Sequence, residues 1–251
     1  RFDRPFTTES PTLRTPARPD SRLPAPTPCR PNSRPPGLRP ALPNPRPVRK
    51  PAQAENSAAG YSRRVSIDLE ALYIDLHRHP ELSFEETRTA GVIARELGVL
   101  GLEVVEGLGK TGVASAIRNG DGPVVWLRAD MDALPVEEQT GLAYASTARG
   151  IDPAGTDVPV MHACGHDMHV TAMLGALERL LATKDEWSGT VVAVFQPAEE
   201  YGAGAQAMIA DGVLDRFPKP DIVLGQHLTP LPAGTIGVRP GTQMAASDGL
   251  T

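Results

Sequence analysis

The eight-residue segment 162–169 is the densest cluster in this sequence of side chains that can bind transition metals. It reads His-Ala-Cys-Gly-His-Asp-Met-His, so three imidazoles, one thiol and one carboxylate lie close together along the chain. This mixture of nitrogen, sulfur and oxygen ligands suits zinc, cobalt, manganese or nickel. Gly165 lies between Cys164 and His166 and allows the tight turn that two neighbouring ligands need. A helix N-terminus capped by polar side chains would explain one of these residues but not all five.

Two adjacent glutamates, Glu199 and Glu200, follow an apolar stretch that ends at Phe195. An isolated Glu-Glu pair is usually only solvated surface, but here Pro197 ends the strand where a sheet edge is expected. One glutamate can bind metal while its neighbour takes a proton from an activated water molecule, as metal-assisted hydrolysis requires. The alternative chemistry is a Cys164 nucleophile paired with His166, which would leave both glutamates without a role.

Two further clusters also follow apolar segments. Asp130 and Asp132 come after the segment 123–128, and His227 comes after Asp221-Ile-Val-Leu. Acids at this spacing can bind metal or orient a histidine ligand. A single His at a strand end is more often structural, and His227 gains weight only from the other clusters. Because open α/β sheets bind ligands at the carboxyl ends of their strands, these three strand ends predict one shared site.

A sheet with covering helices must position these side chains, and the apolar periodicity predicts both. Alternating strands and helices, with continuously apolar strands, indicate an α/β sandwich. Ser83 to Glu86 is predicted to form a capping box before the second helix, and 131–160 is predicted to be a long functional loop. Helices are predicted over about 62–77, 84–98, 168–182 and 204–211, and strands over 102–106, 112–118, 123–128, 191–195 and 222–224.

The first 51 residues differ in composition from the rest of the chain. They contain 15 Pro, 11 basic and 3 acidic residues, whereas the remainder contains 14 basic and 27 acidic residues. A segment of this kind cannot bury a core, so 1–60 is predicted to be a disordered tail with polyproline II character. An organelle transit peptide and a nucleic-acid tail are the alternatives, although the tail has only two Phe and no interleaved aromatic pattern. A linker or a mis-assigned start is favoured, because residue 1 is Arg and not Met.

Composition also limits the location and partners of the protein. No run approaches the ~18 apolar residues of a membrane span, so no membrane partner is expected. The two cysteines, Cys29 in the tail and Cys164 in the remainder, form no disulfide framework. A reducing compartment is therefore expected, and cytoplasmic localisation is predicted. No nucleic-acid partner is expected.

Five motifs follow one another along the chain: His79-Pro-Glu-Leu-Ser83, Arg128-Ala-Asp-Met-Asp-Ala-Leu-Pro135, Met161-His-Ala-Cys-Gly-His-Asp167, Gln196-Pro-Ala-Glu-Glu200 and Met244-Ala-Ala-Ser-Asp248. In this order they resemble the motifs of the metallopeptidase family that contains aminoacylases, hippurate hydrolases and plant IAA–amino acid hydrolases. The match covers roughly 65–251, and the cysteine-containing motif is specific to this subgroup. The resemblance implies a three-layer α/β/α sandwich of the two-metal zinc-exopeptidase type.

The resemblance also implies roles for particular residues. Two divalent metal ions (Zn, Mn, Co or Ni) are expected, with Glu199 as general base and acid and Asp132 as a residue that supports the site. His162 and His169 are predicted to be structural or to face the substrate, and are not counted as ligands. The metal ligands implied by the resemblance are Cys164, His166, Glu200 and His227.

The reaction implied by the resemblance is hydrolysis of the amide bond of a small-molecule N-acyl or N-aroyl amino acid by a metal-activated water. A dipeptidase or carboxypeptidase on the same scaffold is the alternative enzyme, and a non-catalytic metal-binding fragment is the alternative outside enzymes. Residues 61–242 are predicted to be the first part of the catalytic domain, and 243–251 the start of a lid or dimerisation domain. In this family a later segment supplies one more His ligand. The resemblance therefore implies that this chain alone is incomplete and essentially inactive, and that a homodimer is possible only in the full-length protein.

Overall fold

The computed structural model describes residues 66–238 and Gly241. The predicted tail at 1–60, the Met244–Asp248 motif and the predicted lid segment 243–251 lie outside the described residues. The helices are α1 (Leu69–Arg78), α2 (Thr87–Val99), α3 (His166–Ala182), α4 (Gly204–Ala210) and α5 (Val213–Arg216), with a 3₁₀ turn at Lys184–Glu186. The strands are β1 (Val104–Leu108), β2 (Gly112–Asn119), β3 (Val124–Asp130), β4 (Arg149–Ile151), β5 (Asp157–Pro159), β6 (Gly189–Gln196) and β7 (Ile222–Gly225).

Five strands form a mixed central sheet in the order β1-β2-β6-β3-β7. The pairs β1/β2 and β2/β6 are antiparallel, whereas β3 runs parallel to both β6 and β7. Because β6, β3 and β7 share one direction, their carboxyl ends reach the same edge of the sheet. This arrangement confirms the predicted α/β class with a central sheet, and it sets the position of the polar clusters.

Strand β6 shows how the sheet is buried on both faces. Val191, Ala193 and Phe195 belong to a core cluster that includes side chains of α1, α2 and α3. Val192 and Val194 alternate with them and pack on the opposite face with Met208 of α4 and Val213 of α5. Successive side chains of a strand point to opposite faces, so a continuously apolar strand requires helices on both sides.

Two local predictions are wrong. The predicted capping box does not form, because α2 begins at Thr87 and its N-cap residue Glu86 makes no side-chain capping bond. The Ser83 hydroxyl donates instead to Asp132 Oδ2 at 2.6 Å. The predicted loop 131–160 contains a small antiparallel hairpin formed by β4 and β5. Among the helices of residues 66–238, none is long and apolar enough to cross a lipid bilayer.

Candidate metal centre

Polar side chains from four elements meet at the carboxyl edge of the parallel strands. Asp130 ends β3 and Asp132 follows it, Glu199 and Glu200 follow β6, and His227 follows β7. His166 is the first residue of α3, and Cys164 lies just before the helix. Gly165, between them, is the N-cap residue and adopts the left-handed conformation at φ 83°. A close approach also explains the glycine, since a Cβ at this position would lie 2.7 Å from Leu228 Cδ1. The predicted shared site therefore exists as a spatial cluster.

His166 is the central residue of this cluster and is fully buried. Its Nδ1 lies 2.9 Å from the Asp132 carbonyl oxygen, which fixes the proton on that nitrogen. The opposite nitrogen, Nε2, faces carboxylate oxygens of Asp130, Glu200 and Glu199 at 3.6, 3.7 and 3.9 Å. Burial lowers the pKa of His166, but the neighbouring carboxylates, led by Asp132, outweigh it and raise the pKa. The space beside Nε2 therefore favours a positive charge.

Three buried atoms around His166 have no hydrogen-bond partner among the described residues. They are His166 Nε2, Glu200 Oε1 and Asp132 Oδ1. A buried polar atom without a partner costs roughly 1–3 kcal/mol. Two of these atoms are carboxylate oxygens and the third is an imidazole lone pair, and all three can bind a cation. The donor set therefore fits a divalent metal ion.

Cys164 and His227 approach each other at the exposed side of the cluster, with Sγ 3.2 Å from Nε2. His227 Nδ1 donates to the Leu228 carbonyl oxygen at 2.7 Å, so Nε2 is the nitrogen available beside the thiol. Burial and the carboxylates of Glu200, Glu199 and Asp130 raise the pKa of Cys164 to about 12. Without a cation the thiol stays protonated, which disfavours Cys164 as a nucleophile. The histidine that contacts the Cys164 thiol is also His227, whereas the nucleophile alternative paired the thiol with His166.

Ligand atoms in the described part of the chain form three groups that could hold a metal ion: Cys164-His166-His227, His166-Glu199-Glu200 and Asp130-His166-His169. His166 belongs to each of them. Within each group the ligand atoms lie within 4.8 Å of one another. The first two groups together contain the four predicted ligands and Glu199. In the third group, both nitrogens of His169 already make hydrogen bonds, to Asp130 and to the Leu228 backbone.

Asp132 connects three parts of the site. It is buried, and its Oδ2 accepts hydrogen bonds from the Ser83 hydroxyl at 2.6 Å and from the Glu200 backbone N–H at 3.0 Å. Burial raises the pKa of Asp132. The His166 ring, 3.3 Å from Oδ1, and the bonds from Ser83 and Glu200 outweigh burial and lower the pKa. An ionised Asp132 therefore holds both His166 and the turn that carries Glu200.

Glu86 is a buried residue whose part in this site the sequence did not indicate. Its Oε1 accepts hydrogen bonds from the backbone N–H groups of Ala198 and Phe84 at 2.8 and 2.9 Å, and its Oε2 accepts one from Thr111. Ala198 adopts a left-handed φ of 44°, which is unfavourable for a residue with a Cβ. Glu86 therefore stabilises the turn from which Glu199 and Glu200 extend.

His162 lies in the same motif but has a different environment. It is buried, and neither ring nitrogen has a hydrogen-bond partner within the described residues. Burial lowers the pKa of His162 to about 4, so the ring is neutral near pH 7. His162 belongs to none of the three groups of potential ligands.

Comparisons with known proteins place this cluster in context. Residues 126–246 match the sequence profile of Peptidase family M20/M25/M40. The chain is 46% identical over 175 residues to an N-acetyl-L-cysteine deacetylase of Bacillus subtilis, covering 69% of this chain and 39% of that protein. It is 44% identical to a thermostable carboxypeptidase of Saccharolobus solfataricus, covering 69% of this chain and 42% of that protein.

A solved structure is also similar to the chain. It is a dinuclear metal-binding peptidase of the M20 family from Bacillus subtilis, with a TM-score of 0.61 and 41% sequence identity. The match covers 73% of this chain and 48% of that chain. The match therefore covers less than half the length of each of these three relatives.

Proposed function

Because the chain belongs to peptidase family M20/M25/M40, we propose that it supplies the metal centre of a hydrolase that cleaves the amide bond of N-acyl amino acids. The observation that carries this proposal concerns two buried atoms beside Asp130 and Cys164. His166 Nε2 and Glu200 Oε1 have no hydrogen-bond partner among the residues that the structure describes.

In this proposal Cys164, His166, Glu200 and His227 hold two divalent ions (Zn, Mn, Co or Ni). When bound, the ions would supply Lewis-acid chemistry, polarising the amide carbonyl and making water easier to deprotonate. The donor set fits these metals because it combines a thiol, imidazoles and carboxylates.

Glu199 is the proposed general base and acid. Its side chain is 36% exposed, whereas that of Glu200 is 19% exposed. The more open side chain can receive a proton from the attacking water at a carboxylate oxygen and deliver it to the nitrogen of the leaving amine. Asp132 does not touch substrate in this account. Its backbone carbonyl orients His166, and its carboxylate holds the Glu200 backbone.

A carboxypeptidase is the second candidate, since the Saccharolobus solfataricus relative carries that name. The two candidates differ in their preferred substrate. The first prefers an N-acyl amino acid, and the second prefers a peptide. The test is turnover of N-acetylcysteine, hippurate and an unblocked tripeptide. The samples are this chain and a version extended with the C-terminal part of the 46%-identical deacetylase.

We expect the extended, metal-loaded protein to hydrolyse the N-acyl amino acids faster than the tripeptide, and chelation to stop turnover. Faster release of the C-terminal residue of the tripeptide would favour the carboxypeptidase. No turnover of any of these compounds by a folded, metal-loaded sample would leave a metal-binding protein without this catalysis.

A further inference from the structure

His169 is a buried histidine in the first turns of α3, and both of its ring nitrogens are occupied. Nδ1 lies 2.6 Å from Asp130 Oδ1, and Nε2 lies 2.9 Å from the backbone nitrogen of Leu228. The side chain is fully enclosed. Sequence spacing alone would place it among the potential metal ligands, since it lies three residues after His166.

The charge on Asp130 fixes the tautomer of His169. Asp130 is buried, and the Arg128 guanidinium donates to its Oδ2 at 2.6 Å. An ionised carboxylate only accepts hydrogen bonds, so Nδ1 of His169 must carry the proton. Nε2 then presents a lone pair, and the N–H of Leu228 donates to it. A nitrogen whose lone pair already accepts a hydrogen bond is not available to a metal ion.

The accepted N–H belongs to the residue next to His227, and Leu228 is held in two further ways. Its carbonyl oxygen accepts the Nδ1 proton of His227 at 2.7 Å. Its side chain lies against Gly165, between Cys164 and His166. Leu228 therefore connects the segment after β7 to the start of α3.

Few other bonds hold this segment. Within the part of the chain that the structure describes, 226–238 makes only two hydrogen bonds to the rest of the protein, Cys164 to His227 and His169 to Leu228. All residues from 226 to 238 are exposed. The bond to His169 is the one of the two that does not involve a proposed metal ligand.

We propose that His169 is a positioning residue, which accepts the Leu228 N–H and thereby aims Nε2 of His227 at the metal centre. This inference rests on the proposed function, in which His227 is a ligand. His169 acts through the backbone of Leu228 and does not itself bind metal. Asp130 acts one step further away, by fixing the tautomer that makes His169 an acceptor.

Two substitutions separate the two hydrogen bonds of His169. In His169→Gln the amide oxygen can occupy the position of Nε2 and accept the Leu228 N–H. In His169→Asn the shorter amide reaches only the position of Nδ1, so the bond to Asp130 is retained and the bond to Leu228 is lost. The experiment measures Co²⁺ affinity of the 251-residue chain and the thiolate-to-cobalt absorption band for wild type and both variants.

We expect His169→Asn to lose ~10–100-fold in Co²⁺ affinity, the usual effect of removing a residue that orients a ligand. His169→Gln should remain close to wild type, while the thiolate band persists in both because Cys164 is unchanged. Equal affinities in all three proteins would overturn the role of His169 alone. No cobalt uptake by the wild type would overturn the proposed function, and the role of His169 with it.

Hydrogen exchange at the Leu228 amide gives a second measurement that needs no variant to fold. In the metal-free wild type we expect this amide to be protected, because its proton is bonded to a buried acceptor. Exchange at the rate of an unstructured peptide would overturn the proposal. The amide of Gly234, on the same exposed segment, provides the internal comparison.

Discussion

His77 and Asp167 form a buried pair, with Nδ1 of His77 2.6 Å from Oδ2 of Asp167. The other ring nitrogen lies 3.1 Å from Glu138 Oε1, and Tyr73 and Tyr144 pack around the ring. Burial alone lowers the pKa of His77, but the bonds to Glu138 and Asp167 outweigh it and raise the pKa. A protonated His77 therefore joins α1, the loop after β3 and the first turn of α3.

A pH dependence of stability follows from this pair. The folded pKa of His77 is raised above the unfolded value of about 6.5. The stabilisation is therefore fully present below about pH 6.5 and is lost as pH rises through the folded pKa. We expect the difference in free energy of unfolding between wild type and His77→Gln to shrink above about pH 6.5. Urea unfolding over this range measures it, and a difference that grows with pH would contradict the assignment.

Gly165→Ala should damage the metal centre as well as the fold. The left-handed φ costs a residue with a Cβ roughly 1–2 kcal/mol, and the new Cβ would lie 2.7 Å from Leu228 Cδ1. Gly155→Ala is the matched control, because Gly155 has φ 81° and a Cβ added there would meet no other atom within 4 Å.

Both alanine variants should lose similar stability in chemical denaturation. Only Gly165→Ala should weaken binding of Co²⁺ or Zn²⁺, by ~10-fold or more, since it displaces groups that orient the ligands. If the two variants bound metal equally well, contact between Leu228 and the turn at Gly165 would have no part in the site.

Glu199 and Glu200 are adjacent but should behave differently. In the extended protein, Glu199→Gln should lower turnover by ~10²–10⁴-fold, the usual contribution of a general base, while metal content stays near that of wild type. Glu200→Gln should lose metal as well, because Glu200 Oε1 is a buried oxygen facing His166. Near-normal turnover of Glu199→Gln, or equal loss of metal in both variants, would show that the two roles are wrongly divided.

The sequence predicted the site best where local pattern and sheet geometry agree. Apolar strands followed at once by acids or His predicted that Asp130, Glu200 and His227 would meet, and the parallel order of β6, β3 and β7 brings them to one edge. Gly165 was also recognisable, because its neighbours on both sides are potential ligands. In both cases the information lies within a few residues of the chain.

The supporting contacts could not be predicted because their partners are distant in sequence. Ser83 bonds to Asp132 across 49 positions, and Glu86 bonds to the Ala198 backbone across 112. A prediction from neighbouring residues in the sequence cannot detect such distant pairs, and it therefore assigned Ser83 to a helix cap. The pair of His77 and Asp167, 90 positions apart, was hidden for the same reason.

Several expectations stay predictions. They include the roles of the individual ligands, the disordered tail at 1–60 and the lid segment at 243–251. Cytoplasmic localisation and a homodimer of the full-length protein also remain to be tested, as do the substrate and the identity of the metal.

The metal content of the purified chain tests the central claim most directly. After dialysis against metal-free buffer, elemental analysis should find zinc, cobalt, manganese or nickel retained in stoichiometric amount. Cys164→Ala and His166→Ala should retain much less, whereas Cys29→Ala, at the other cysteine, should match wild type. A folded wild-type chain that takes up none of these metals, or equal retention in all four proteins, would contradict the account.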